Sequence, residues 1–392
     1  MHIDVNNAFL SWTAIDLLRQ GEKIDIRKTC AVIGRENEKR HSIVLAKSTP
    51  IKKFGVKTAE PIFLARKKCP NLKVYPPHFK WYKYMSKKMF KLIESYVPTM
   101  ERYSIDECFI DYTEYKNIYG DEVKFAYRLK NEIETKLGFT VNIGVANNKL
   151  CAKMASDFEK PNKVHTLFDY EVNKKMKILP IEDLFFIGKK TAAKLRDLNI
   201  NTIYDLSITN PKEIYPYFKN NAYKMVEFAN GIDNSKVEQR GAKKGLSNSI
   251  TTNKNLIHIE EVYDILKLQA EKLSKQLSIE NRYAKVVRVA LKNSNFKIYS
   301  HQVKLDNPTR KSNDIYKYAC KLTRELWRDE KIRLVSLSVD NLTDEVYYQQ
   351  SIFDSNDPFF EDKKLSDALE KIKLKYGNKI IIEASLKNNK KS

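Results

Sequence analysis

The sequence is poor in cysteine, and what it has is scattered. Cys30, Cys69, Cys108, Cys151 and Cys320 form no C-x-x-C pair among 392 residues, so neither a zinc site nor a disulfide framework is indicated. That usage suits a reducing compartment, and the expectation is a cytoplasmic protein. No apolar run approaches the roughly 20 residues of a spanning helix. A mean hydropathy of −0.53 with 31% charged residues likewise points away from a membrane protein. Asp4 interrupts the opening apolar stretch, which removes a signal-peptide reading. No internal repeat is visible.

Acidic residues are also in short supply. There are 49 against 71 Lys plus Arg, which gives a net charge of +22 and a pI near 9.5. Such an excess favours a polyanionic partner, because each neutralised phosphate releases condensed counterions. A lysine-rich proteome would produce the same count. The 22 tyrosines offer faces for base stacking, although most aromatics serve as core. With 42% hydrophobic residues the chain can bury real cores, and its length calls for two to four units of about 100–200 residues.

Apolar and polar residues alternate over His2–Leu10, and Ser11–Leu18 has helical spacing, so a strand feeds a helix at the outset. Residues 22–76 are basic, with short apolar runs at Thr29–Gly34 and Ser42–Ala46 and a short helix at Ile62–Lys68 after Pro61. Helices are predicted at Phe79–Tyr96, Glu122–Leu137 and Asn148–Phe158, and strands at Phe139–Val145 and around Tyr103–Tyr112, the latter paired or bent. From Pro180 to Gly231 short helices dominate. Asp233–Gly245, with Arg240, Lys243 and Lys244, reads as a linker lying on something negative. Leu246–Leu342 then spells β-α-β-β-α-β, the split ferredoxin-like order, with turn residues at Asn293–Asn295. The tail after Leu342 is polar until a last helix and an I-I-I run. The fold class is α+β.

Two acidic sites stand out. Asp4 lies within an apolar strand, and Asp106 and Glu107 sit side by side in Y-S-I-D-E-C-F-I-D (Tyr103–Asp111). Neighbours on a strand face opposite ways, so both reach one site only where the backbone bends. A carboxylate among apolar groups must be paired, protonated or metal-bound. Converging, the three would suit Mg²⁺, and two such ions would suit phosphoryl transfer. Spacing does not establish that they converge, and on the residues alone an exposed Asp-Glu turn beside an unrelated strand-end Asp is the plainer reading.

H-I-D-V-N-N-A-F and S-I-D-E-C-F-I-D together resemble the two signatures of Y-family (lesion-bypass) DNA polymerases. Further matches follow in order: K-K-F-G-V-K (Lys52–Lys57), S-D-F-E-K-P-N (Ser156–Asn162) and I-G-K-K-T-A-A-K-L (Ile187–Leu195), so the resemblance spans about residues 1–342. It implies that Asp4, Asp106, Glu107 and the backbone carbonyl of Val5 bind two Mg²⁺ ions, which serve the primer hydroxyl and an incoming deoxynucleoside triphosphate. Phe9 takes the place of the steric gate that excludes a 2′-hydroxyl; without the resemblance it reads as core. Lys160 matches a triphosphate-contacting lysine. Thr49 and Lys52 stand where the family often has tyrosine and arginine. Lys52 keeps the charge but not the bidentate fork, and Thr49 offers only a short hydroxyl.

Gly188, Lys189, Lys190 and Thr191 resemble a helix-hairpin-helix whose glycine turn offers backbone N–H groups to a DNA phosphate, with Lys190 where a second glycine is usual. An ordinary helix connection is the plainer reading. The resemblance implies a right-hand polymerase: palm (1–18 and 77–165), fingers (19–76), helical thumb (166–235), linker (236–244), a ferredoxin-like little finger (245–342) and a tail (343–392). In that tail Q-Q-S-I-F resembles the peptide by which bacterial polymerases dock on the sliding clamp. Gln349 would make polar contacts while Ile352 and Phe353 fill a pocket. The implied activity is template-directed DNA synthesis across damaged bases, at low fidelity, by a monomer on primer-template DNA. A base-restricted nucleotidyl transferase, or a noncatalytic DNA-binding and clamp-recruiting protein, are the rivals. No segment resembles a 3′ exonuclease.

Overall fold

The computed structural model describes residues 1–36, 42–239 and 241–344, together with Ala368 and Ile372. Arg240, the Gln349–Phe353 peptide and the helix and I-I-I run expected in the tail lie outside the described residues, except for those last two positions. No helix among the described residues is long and apolar enough to cross a membrane.

In chain order, β1 (His2–Val5) leads into α1 (Ala8–Arg19), and β2 (Ala31–Ile33), β3 (Ala46–Lys47), α2 (Ile62–Lys68) and β4 (Lys73–Tyr75) follow. Next come α3 (Phe79–Glu94), β5 (Met100–Arg102), β6 (Glu107–Ile110), the single turn α4 (Lys116–Tyr119) and α5 (Glu122–Leu137). Then β7 (Val141–Val145), α6 (Lys149–Asp157) and β8 (Val164–Thr166) precede four short helices. These are α7 (Lys189–Arg196), α8 (Ile203–Ile208), α9 (Pro211–Phe218) and α10 (Asn221–Ala229). Last are β9 (Gly245–Leu256), α11 (Ile259–Ile279), β10 (Ala284–Asn293), β11 (Ile298–Thr309), α12 (Ser312–Leu326) and β12 (Ile332–Asp340). The chain divides into two compact units, Met1–Ala242 with Thr251–Asn253, and Lys243–Ile250 with the residues from Lys254 onward.

The first unit is organised by a five-stranded sheet in the order β5-β6-β1-β7-β8, with β1 in the middle. β1 runs antiparallel to both neighbours. Ile3 and Val5 join Val141, Ile143, Cys108 and Ile110 in a core closed by residues of α3 and α5, including Tyr82, Met89, Phe125 and Leu129. The alternate residues His2 and Asp4 face the other way. They share that face with their cross-strand partners Gly144, Asn142, Phe109 and Glu107. Helix α6 covers it so closely that a Cβ on Gly144 would stand 1.9 Å from the Ala152 carbonyl oxygen and 2.6 Å from the Ser156 nitrogen. Glycine is required there by backbone approach.

Local chemistry sets the element ends. Asp121 accepts from the Val123 and Lys124 N–H groups at the start of α5, and Gly138, at φ 79°, ends it in the left-handed region. Asn148 caps α6 at Cys151, and Asp233 takes the Leu150 N–H at 3.1 Å. Helix α1 begins at Ala8, three residues before the expected start, because Asn7 turns the chain at φ 48°, which asparagine tolerates. A three-stranded sheet, β3-β2-β4, packs Val32 against Val44, Ile51 and Ile62. The short helices α7–α10 gather Leu195, Ile203, Leu206, Met225 and Phe228 into a third core.

The second unit has the expected β-α-β-β-α-β order. Its strands lie as β11-β10-β12-β9, so the first strand is at an edge beside the last. Val287, Val289 and Leu291 of β10 pack against Leu266, Leu273 and Leu277 of α11 and Ile315 and Leu322 of α12. Strand β9 runs longer than its apolar pattern predicted. Strand β11 starts two residues later, after Phe296 has turned at φ 65°.

Candidate active site

The antiparallel register of β1 and β6 sets Asp4 opposite Glu107 on one face of the sheet. The chain bends at Ser104–Asp106 between β5 and β6, and the Val5 N–H donates to the Asp106 carbonyl at 3.1 Å. That bend brings Asp106 beside the end of β1 although it neighbours Glu107 in sequence. The Ser104 hydroxyl donates to the Asp106 carboxylate at 2.6 Å.

Each carboxylate has its own partner. Asp4, 6% exposed, is ion-paired to Lys160, which follows α6 and precedes a cis Pro161. Lys160 also reaches Asp157 at 2.7 Å. Lys153, almost wholly buried on α6, stands 3.4 Å from Glu107 and 3.5 Å from Asp157. Two lysines and a fourth carboxylate thus connect Asp4 and Glu107 in one network, while Asp106 stands outside it on Ser104. Lys153 and Asp157 were not singled out from the sequence. Their signal was there, because i, i+4 spacing puts both on one helix face.

Burial dominates the electrostatics. It pushes Asp4 above the usual carboxylate range, with Lys160 and Lys153 pulling back. It also raises Asp106, against the Ser104 hydrogen bond. For Lys160, a third exposed, the lowering effect of burial is outweighed by Asp4 and Asp157, and its ammonium is held above its ordinary value. His2, fully buried, is lowered to about 3, first by burial and then by Lys153. It is therefore a neutral neighbour of Glu107 at 3.5 Å rather than an ion-pair partner, and the Ser156 hydroxyl bonds its other nitrogen at 2.8 Å.

Among the described residues no three acidic, His or Cys side chains are gathered tightly enough to enclose a cation as they stand. The cause is visible: Asp4 and Glu107 are each turned to a lysine, and Asp106 to a serine. The donor set nonetheless fits a hard divalent ion. All three groups offer carboxylate oxygen and neighbour one another across two strands, and burial disfavours the charge of Asp4 and Asp106 in a way a cation would offset.

Phe9, in the first turn of α1, lies flat on Tyr82 with ring centroids 4.7 Å apart. Thr49 and Lys52 lie at the start of and within a 3-10 turn at Pro50–Phe54, and both are exposed. Neither shares a hydrogen bond or ion pair with the acids among the described residues. Gly188 is the N-cap of α7, with Lys189, Lys190 and Thr191 in its first turn. Lys190 is therefore helical. The backbone that suits a glycine belongs to Phe186, at φ 82°, two residues before Gly188. A cavity of about 640 Å³ lies at the opposite end of the sheet, against Met1, Ile110 and Val145, away from the acids.

Comparison with known proteins gives this site its context. Residues 3–157 match the impB/mucB/samB family, and residues 243–352 match that family's C-terminal domain. A DNA polymerase IV from Clostridium acetobutylicum is 42% identical over 387 residues, covering 98% of this chain and 97% of the relative. The chain belongs to the impB/mucB/samB family, the Y-family DNA polymerases. Membership makes it a DNA-directed DNA polymerase. The DNA polymerase IV 1 of Bacillus subtilis is 30% identical, with 97% of this chain and 91% of that one covered. The fold agrees. A Y-family DNA polymerase chimera superposes with a TM-score of 0.77 at 23% identity, covering 88% of this chain and 99% of the other. The insertion ternary complex of Dbh DNA polymerase gives 0.60 at 22% identity, with the same coverage. The family's α+β, multidomain polymerase architecture is thus that of this chain.

Proposed function

We propose that this polymerase extends a primer on a DNA template by metal-dependent phosphoryl transfer at Asp4, Asp106 and Glu107, and accepts damaged template bases with low fidelity. The observation that carries the reading is the cross-strand pairing of Asp4 with Glu107, with Asp106 tied to the same strand end. The three carboxylates and the Val5 carbonyl would hold two Mg²⁺ ions. Bound there, magnesium supplies positive charge to the attacking and leaving oxygens of phosphoryl transfer.

The chain's own side chains do the rest. Lys160 is the counter-charge of Asp4, and its ammonium suits the oxygens of a triphosphate. Thr49 and Lys52 would contact that triphosphate from the fingers. Lys153 holds the Glu107 carboxylate in place at 3.4 Å. Phe9 forms the wall beneath the sugar and excludes a 2′-hydroxyl.

In this reading residues 1–18 and 77–165 are the palm, 19–76 the fingers, 166–235 the thumb, 236–244 the linker and 245–342 the little finger. The backbone N–H groups of Gly188, Lys189, Lys190 and Thr191 grip a template or primer phosphate. The net charge of +22 supports a phosphate-tracking mode of DNA binding. Gln349, Ile352 and Phe353 would dock a monomeric enzyme on the sliding clamp.

Primer extension by the full chain with Mg²⁺, on undamaged and abasic templates and with each of the four deoxynucleotides, tests the reading. Template-directed addition on both templates is expected. Addition of one base regardless of template would replace it with a base-restricted transferase.

A further inference from the structure

Phe9 is held from behind by a closed loop of contacts. Tyr82 of α3, 0% exposed, lies nearly parallel to the Phe9 ring, with centroids 4.7 Å apart and 9° between planes. Phe79 meets both rings edge-on, at 5.9 and 5.7 Å. These are favourable aromatic geometries. The Tyr82 hydroxyl is 2.7 Å from the Thr13 hydroxyl, and Thr13 donates to the Phe9 carbonyl at 2.7 Å. A threonine hydroxyl carries one hydrogen. Thr13 spends it on Phe9, so Tyr82 must be the donor to Thr13. The loop therefore runs from ring to ring, from phenol to hydroxyl, and from hydroxyl back to the backbone of Phe9. It is not free to slip, because Tyr82 is buried and its phenol would lose its partner.

We propose that Tyr82 and Thr13 are positioning residues that set sugar specificity by fixing the height of the Phe9 ring. The proposal rests on the reading of Phe9 as the wall beneath the sugar. Such a wall rejects one extra oxygen only if it does not yield, and close packing of the ring against a tethered partner denies it that movement.

The experiment compares specificity constants for a deoxynucleotide and the ribonucleotide of the same base on one primer-template, alongside melting temperatures. Tyr82→Phe keeps the stack and removes the tether, while Thr13→Val removes both hydrogen bonds. Each is expected to lower the deoxy-to-ribo ratio about three- to tenfold. Thr13→Ser should restore it. Once Phe9→Ala has removed the ring, adding Tyr82→Phe should lower the ratio no further. If Phe9→Ala relaxes selectivity but Tyr82→Phe and Thr13→Val leave it unmoved, the tether is irrelevant and the wall stands. If Phe9→Ala leaves the ratio unmoved, the wall itself is wrong. Should Thr13→Val fail to fold, Tyr82→Phe decides, because it conserves the buried ring.

Discussion

Gly144 is the position where one added methyl group should do most damage. Its Cβ would meet the Ala152 carbonyl oxygen at 1.9 Å and the Ser156 nitrogen at 2.6 Å, both backbone atoms of α6. An ordinary contact is nearer 3.5 Å, so Gly144→Ala must push α6 off the sheet by about 1.5 Å. That helix carries Lys153, 3.4 Å from Glu107, and Ser156, 2.8 Å from His2. Overpacking of this kind costs about 1–3 kcal/mol, which lowers the melting temperature by roughly 2–10 °C. Displacing catalytic supports by about an ångström costs on the order of 100-fold in rate. Scanning calorimetry and single-nucleotide incorporation on a primer-template measure both. A variant that melts with the parent and incorporates at the parent rate would refute the close α6–β7 packing and its bearing on the site.

Four further outcomes are expected. In the Thr202–Asp205 capping box of α8, Thr202→Ala should cost about 1 kcal/mol in chemical denaturation. Asp205 is held below its ordinary value of 3.8, chiefly by the Thr202 N–H. Its contribution is therefore full above that value and lost as pH falls through the lowered one, and the stability gap between the parent and Asp205→Asn should shrink toward acid pH; a gap independent of pH would contradict this. Lys160→Met should raise the nucleotide KM about tenfold in steady-state extension, and an unchanged KM would remove Lys160 from triphosphate binding. A peptide spanning Gln349–Phe353 should bind the sliding clamp in a titration, and Phe353→Ala should abolish the signal; equal binding by both would end that assignment.

The acids of the candidate site could be picked out in the sequence because two short motifs carry them. From the residues alone a strand-end Asp4 and an exposed Asp106–Glu107 turn remained the plainer reading, and the resemblance of the two motifs to family signatures is what singled them out. What the sequence could not give was the register. The pairing of Asp4 with Glu107 is non-local and follows from how β1 enters the sheet between β6 and β7. The same is true of Tyr82 under Phe9, whose hydroxyl partner Thr13 is 69 positions away. Lys153 and Asp157 were readable as one helix face, but only the packing of α6 on Gly144 turns that face toward the acids. In the second unit the order of elements was plain from periodicity. The edge position of β9 was not, because apolar alternation specifies a buried face and leaves the neighbouring strand open. Left-handed turns at Asn7 and Phe296 account for the displaced starts of α1 and β11.

The central claim concerns charge on three side chains, and isosteric removal of that charge tests it most directly. Single-turnover nucleotide incorporation with Mg²⁺ should fall at least about a thousandfold in Asp4→Asn, Asp106→Asn and Glu107→Gln taken singly, with the melting temperature within a few degrees of the parent. Any one of the three folding normally and incorporating within tenfold of the parent rate would contradict the assignment of that residue. If Asp4→Asn were the one, the pairing of β1 with β6 would lose its catalytic meaning.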